Sequence, residues 1–163
     1  MLTQLTIKNF ALIEKLEASF SSGMTCITGE TGAGKSILLG GLSLVLGKRA
    51  DLSSLLNPNK KCIVEASFQI EAYALETLFE NLDVDYESKT ILRREILPQG
   101  KSRAFINDTP VTLNVLEQIS LHLIDLHSQN DTSSLLRNEY KFKVLDALAN
   151  NKALLSKYEV AHS

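Results

Sequence analysis

A single octapeptide narrows the folds open to this chain more than any other feature. Gly29-Glu30-Thr31-Gly32-Ala33-Gly34-Lys35-Ser36 satisfies the phosphate-loop pattern G-x-x-x-x-G-K-[ST] in full. Met24 to Thr28 before it reads as a short apolar strand. Lys35 to Leu46 after it reads as a helix apolar on nearly every side, which suits burial within a domain. Glycines let backbone N–H groups curl around phosphates, and the helix N-terminus adds the positive end of its dipole. Lys35 reaches the β- and γ-phosphates, and the Ser36 hydroxyl ligates Mg²⁺. The plainer alternative is a glycine-rich turn that merely caps a helix. Pattern and context together favour the phosphate loop.

The helix carries Gly40 and Gly41 in its interior. Each costs about 1 kcal/mol relative to Ala, so tertiary packing must hold the segment, and close approach of another backbone is expected there. Gly47 is a natural C-terminal stop. Upstream, the segment Leu2 to Phe10 is β-branched at Thr3, Thr6 and Ile7 and pairs with a second strand within Ala11 to Phe20, closed by the turn Ser21-Ser22-Gly23. Downstream, Cys62 to Ile70 alternates as a half-buried strand, and residues 71 to 82 read as a short acidic helix. Thr90 to Leu97 and Ser102 to Asn107 form a hairpin across Pro98-Gln99-Gly100-Lys101, and Asn107-Asp108-Thr109-Pro110 is the next turn. Leu113 to Ile119 reads as a helix and Leu121 to Leu126 as an apolar strand. Leu145, Leu148, Leu155 and Tyr158 then recur at helical spacing up to Ser163 with no stop signal, so a fragment of a longer protein is expected.

Composition excludes two classes. With 44% hydrophobic residues and a formal net charge of -2 the chain is not disordered, and no apolar run approaches the roughly 20 residues a transmembrane helix needs. Cys26 and Cys62 lack any metal-binding or disulfide spacing, and the first residues do not form a secretory signal, so a reducing cytoplasm fits. Charge is segregated: residues 71 to 88 hold six acids and no base, whereas 89 to 103 hold five bases and one acid. Such blocks are most often solvated faces, and only the second suits a phosphate backbone.

A phosphate loop identifies nucleotide binding and leaves the reaction open, because hydrolysis also needs an acid on Mg²⁺ and a group that orients water. Asp125, ending Leu121-His122-Leu123-Ile124-Asp125, is the candidate for a self-contained phosphotransferase. It is followed by Leu126 and not by a second acid, so the Asp-Glu pair of an ABC-type site is absent. His122 and His127 read as ordinary strand and loop residues, because no third ligand has recognisable spacing. Lys48-Arg49 just beyond the helix is either a contact to phosphate or a solvated helix end.

The motifs taken together resemble the amino-terminal lobe of SMC-like ATPases, and within them the RecN family of bacterial DNA-repair proteins. The resemblance is carried by Leu5-Thr6-Ile7-Lys8-Asn9-Phe10, GETGAGKS, Gly47-Lys48-Arg49-Ala50-Asp51, Leu92-Arg93-Arg94-Glu95-Ile96, Ser102-Arg103-Ala104-Phe105-Ile106-Asn107 and Leu123-Ile124-Asp125-Leu126-His127-Ser128-Gln129. It implies an α/β P-loop NTPase lobe of an ABC/SMC-type head, with an antiparallel β-rich subdomain and carboxyl-terminal helices leading towards a coiled coil. Residues 1–140 would be the lobe and 141–163 the start of the arm.

On that resemblance Gly29, Glu30, Thr31, Gly32, Ala33, Gly34, Lys35 and Ser36 hold ATP and Mg²⁺. Gln129 is the Q-loop glutamine, acting on Mg²⁺ and the attacking water, and Arg49 is a nucleotide contact. Ser128 and Asn130-Asp131 depart from the family pattern around that glutamine. The partners implied are a second head across the sandwiched ATP, a carboxyl-terminal lobe of the same chain, and DNA double-strand break ends. The setting implied is the cytoplasm, at the nucleoid. The activity implied is ATP hydrolysis by the completed dimer, the fragment alone binding ATP without efficient turnover. The alternatives are a self-contained phosphotransferase using Asp125, and a non-catalytic module binding a partner through residues 62 to 107.

Overall fold

Period-two alternation of apolar side chains builds one sheet. The computed structural model describes residues 1–28, 34–50 and 52–126 and, further on, Leu145, Leu148, Ala149, Asn151, Leu154, Lys157, Tyr158, Ala161 and His162. Among the described residues six strands appear: β1 (Leu2–Phe10), β2 (Ile13–Ser19), β3 (Cys62–Gln69), β4 (Lys89–Ile96), β5 (Ser102–Ile106) and β6 (Thr109–Val111). They lie in the order β2-β1-β3-β4-β5-β6, every pair antiparallel. Within residues 1–126 the α-helices are α1 (Gly34–Val45), α2 (Glu76–Asn81) and α3 (Leu113–Ser120). The chain divides into two compact units, Met1–Leu126 and His127–Ser163, and the sheet belongs to the first.

Register decides which side chains are buried. Ile7 pairs with Val64, Val64 with Arg94, and Arg94 with Ala104; one step along, Leu5 pairs with Ala66, Ala66 with Leu92, and Leu92 with Ile106. All of these are buried. Helix α1 packs on this face over β1, β3 and β4, and α3 meets β5. Each fully buried Ile, Leu, Val or Phe contributes about 1.5–3 kcal/mol before the cost of ordering it, so this face is the main source of stability.

The glycines of α1 sit where the helix meets β1. A Cβ at Gly41 would lie 2.7 Å from Ile7 Cδ1, and one at Gly40 would lie 3.5 Å from the Phe10 ring. Close approach occurs here as the sequence required, but side chains of β1 make it, where another backbone had been expected. The helix ends in a Schellman arrangement, with Lys48 N–H donating to Ser43 O at 3.1 Å and Gly47 N–H to Leu44 O at 3.3 Å. Gly47 has φ +92°, which an L side chain rarely adopts.

Asn9 fixes the loop that follows α1. At φ +55° its amide leaves the strand. Its Nδ2 donates to Asn57 O at 3.0 Å and Lys60 O at 2.8 Å, while its Oδ1 accepts from Asn57 N–H at 2.7 Å. The polar segment Asn57-Pro58-Asn59 is thereby tied to the sheet.

Several expectations need correction. Met24–Thr28 forms no strand: all five residues are exposed, and no described strand pairs with them, so a β conformation there has no ladder to join. Leu121–Leu126 is also not a strand. Leu121, His122, Leu123 and Ile124 donate their N–H groups to Glu117, Ile119, Ser120 and Ser120 respectively, which continues α3 as turns. The acidic helix is two pieces, a 3-10 turn Glu71–Tyr73 and then α2, separated by Ala74 at φ +51°. The turn read at Asn107–Pro110 is shorter, and its second half is the edge strand β6, where Pro110 is tolerated.

Candidate functional site

Helix α1 begins at Gly34, inside the octapeptide, so Lys35 and Ser36 occupy its first turn. Gly34, Lys35 and Ser36 are exposed, and that first turn carries no acidic residue. The first four N–H groups of a helix have no intrahelical acceptor, and the dipole favours an anion beside them. An exposed ammonium and an exposed hydroxyl thus stand with backbone donors that have no intrahelical acceptor at the positive end of a 12-residue helix. The buried end of the same helix, Gly41, Leu42, Leu44 and Val45, holds this donor set against the sheet. These residue types fit a polyphosphate and its Mg²⁺: the donors are cationic or neutral, and the hydroxyl is a hard oxygen ligand.

Lys35 also stands at the wall of an apolar cleft of about 360 Å³, lined in part by Leu5, Leu16, Phe20, Ile27 and Leu42. Ile27, in its wall, is 55% exposed, and Met24 of the same segment is 95% exposed. The segment leading into the phosphate loop is therefore apolar and uncovered.

The other candidates separate clearly. Gly29 to Ala33 and Gln129 lie outside the described residues. Arg49 is exposed, as is Lys48, just past the end of α1 and hence at the opposite end of that helix from Lys35. Asp125 is exposed and ends no strand. His122 is exposed, and among the described residues no group of three His, Cys, Asp or Glu side chains is placed to hold a metal. Among the described residues no helix is long and apolar enough to cross a membrane.

Sequence reading missed Arg94 as an individual residue. It was grouped with the basic block, yet it alternates with Leu92 and Ile96 and so points to the helix-covered face, where it is 2% exposed. The alternation was the available signal.

A six-stranded antiparallel sheet backed by a helix that opens on G-K-S defines the class: a P-loop lobe with the fold of an SMC head. A solved chain from work on "ATP-driven dimerization and DNA stimulated activation of SMC ATPases" superposes with TM-score 0.61 at 20% identity, covering 90% of this chain and 98% of that one. The Smc head domain with an extended coiled coil from Pyrococcus furiosus, bound to the C-terminal domain of ScpA, gives TM-score 0.61 at 19% identity over 98% of this chain and 48% of that one. A family model described as "AAA domain" matches residues 4–160, and the chain belongs to that family.

The chain is similar to DNA repair protein RecN of Haemophilus influenzae, 40% identical over 161 residues, and to that of Bacillus subtilis, 37% identical over 151. The resemblance carried by the motifs is borne out. The aligned parts cover 96% and 91% of this chain but only 29% and 26% of those relatives.

Proposed function

We propose that this chain is the ATP-binding lobe of an SMC-like ATPase of DNA repair, in which Mg²⁺-ATP drives engagement of two heads and so gates association with DNA. The observation that carries the reading is the exposed Lys35–Ser36 pair in the first turn of α1. Gly29 to Ser36 would cradle the phosphates, with Lys35 on the β- and γ-phosphates and Ser36 on Mg²⁺. Gln129 would complete the metal and water contacts; Arg49, proposed from the resemblance as a nucleotide contact, stands about 15–20 Å from Ser36 along α1 and would not share that phosphate site. Residues 1–140 would form the lobe and 141–163 the start of a coiled-coil arm.

The uncovered apolar segment Met24–Thr28 and the cleft beside Lys35 support a further partner. A carboxyl-terminal lobe of the same protein would pair with that segment and bring the acids that hydrolysis needs, which this chain lacks next to Asp125. DNA double-strand break ends would be the substrate of the assembled dimer, in the cytoplasm at the nucleoid. Asp125 is exposed and follows a run of turns, where the phosphotransferase alternative expects it at the end of a strand.

The test is ATP turnover by this chain alone and after co-expression with the remainder of the protein. Turnover should be negligible alone, appear in the complex with a second-order dependence on its concentration, and vanish with Lys35→Ala. Concentration-independent turnover by the chain alone that is lost in Asp125→Ala would overturn this reading.

A further inference from the structure

Among the described residues the buried cation Arg94 has no counter-ion. Its Nη2 donates to Ser102 Oγ at 2.8 Å, its Nε has no hydrogen-bond partner, and no carboxylate of the described residues lies within ion-pair distance. The adjacent Glu95 faces the other side of β4 and is paired to Lys61 at 3.2 Å. A buried charge costs several kcal/mol unless it is paired and hydrogen-bonded, so a lone guanidinium at 2% exposure calls for an explanation.

Arg94 and Ser102 both line an open cleft of about 510 Å³ at the sheet edge, where β6 stops short of the start of β5. The same cleft is lined by the exposed Arg103 and by Thr112 and Leu113, the N-cap and first residue of α3. Thr112 Oγ1 caps only Val115 N–H, at 3.4 Å, leaving the N–H groups of Leu113 and Asn114 as the open donors of the first turn. The cleft thus gathers the Arg94 guanidinium, the hydroxyl residues Ser102 and Thr112 and the positive end of a helix, with Arg103, the register partner of Glu95, at its rim; among the described residues no acid lines it.

We infer that this cleft is a phosphate-binding site whose ligand is a backbone phosphate of DNA, held by Arg94, Ser102, Arg103 and the N-terminus of α3. A guanidinium fork and helix N–H groups match a tetrahedral oxyanion. The choice of DNA over a free phosphate rests on the functional reading above. It is favoured by the cleft opening to solvent beside the exposed Lys101 and Arg103 of the β4–β5 hairpin. Burial lowers the basicity of Arg94, as expected for a cation with nothing to offset its desolvation.

The test measures binding of a short duplex DNA to the chain as a function of salt, and thermal stabilisation by inorganic phosphate, for wild type, Arg94→Met and Arg103→Ala. Arg103 is exposed, so its variant remains informative even where Arg94→Met fails to fold. Expected are phosphate-dependent stabilisation lost in Arg94→Met, DNA affinity reduced about tenfold in either variant whatever the sequence, and a salt slope smaller by about 1. Duplex binding by wild type that both variants retain in full overturns the site while leaving DNA as a partner, and phosphate stabilisation accompanying that result would mean a free phosphate is the ligand. Absence of duplex binding by wild type would overturn the DNA reading itself.

Discussion

Glu117 stands against Gly47: a Cβ added to the glycine would lie 2.9 Å from the Cβ of Glu117 and 3.3 Å from its Cα. The end of α1 and the middle of α3 touch here backbone to backbone, and Ser120 Oγ adds a bond to Leu46 O at 3.3 Å. The contact fixes how the P-loop helix leaves the sheet. Gly47→Ala meets both the steric barrier and the cost of φ +92°, so a loss of about 2 kcal/mol or more is expected in urea unfolding. Glu117→Ala leaves the Cβ and Cα in place and should not rescue it.

Asn9→Ala should cost roughly 2–4 kcal/mol, because it removes two donors and one acceptor and leaves the backbone groups of Asn57 and Lys60 unsatisfied in a part-buried place. Amide exchange should show residues 57–60 opening first. Asn9→Asp keeps the acceptor for Asn57 N–H but turns a second carboxylate oxygen onto the carbonyls of Asn57 and Lys60, so its cost should be no smaller than the alanine variant's.

The two thiols differ sharply in surroundings. Cys26 is exposed, while Cys62 is fully buried beneath α1, and burial pushes its thiol from the ordinary 9.0 up to about 11. The folded state therefore holds the proton more tightly than the unfolded chain. The stability this gives is complete below pH 9 and is lost as pH rises through about 11. Within that window wild type should lose about 1.4 kcal/mol per pH unit relative to Cys62→Ala, whose shared lysine and tyrosine titrations cancel. Thiol reagents at neutral pH should label Cys26 alone.

The exposed apolar stretch before the phosphate loop carries its own test. Replacing Met24 or Ile27, 95% and 55% exposed, with Ser should leave the stability of the chain within about 0.5 kcal/mol. The same variants should weaken its complex with the remainder of the protein severalfold in a pull-down titration. Equal affinity would show that the stretch meets no partner.

Much of this architecture can be read from residues alone. Alternation along 62–70, the Pro98–Lys101 turn and the G-K-S start of α1 are local signals, and the structure follows them. The segments Met24–Thr28 and Leu121–Leu126 were misread because a short apolar run lacks a period of its own. Whether it forms a strand depends on a neighbour to pair with, which local sequence does not specify. Strand β6 escaped notice because three residues containing Pro110 look like a turn until β5 lies beside them. The place of Lys35 and Ser36 in the first turn of α1 was legible from spacing. Arg94 was not, since charge suggested the surface while its place between Leu92 and Ile96 dictated burial.

The most direct measurement is equilibrium binding of Mg²⁺-ATP to this chain beside Lys35→Ala, with thermal unfolding of both. Lys35 is exposed, so the substitution should leave the melting temperature unchanged while weakening ATP binding at least tenfold and abolishing its dependence on Mg²⁺. Equal affinity of the two proteins for Mg²⁺-ATP, or no binding by a folded wild type, would contradict a phosphate site at the start of α1.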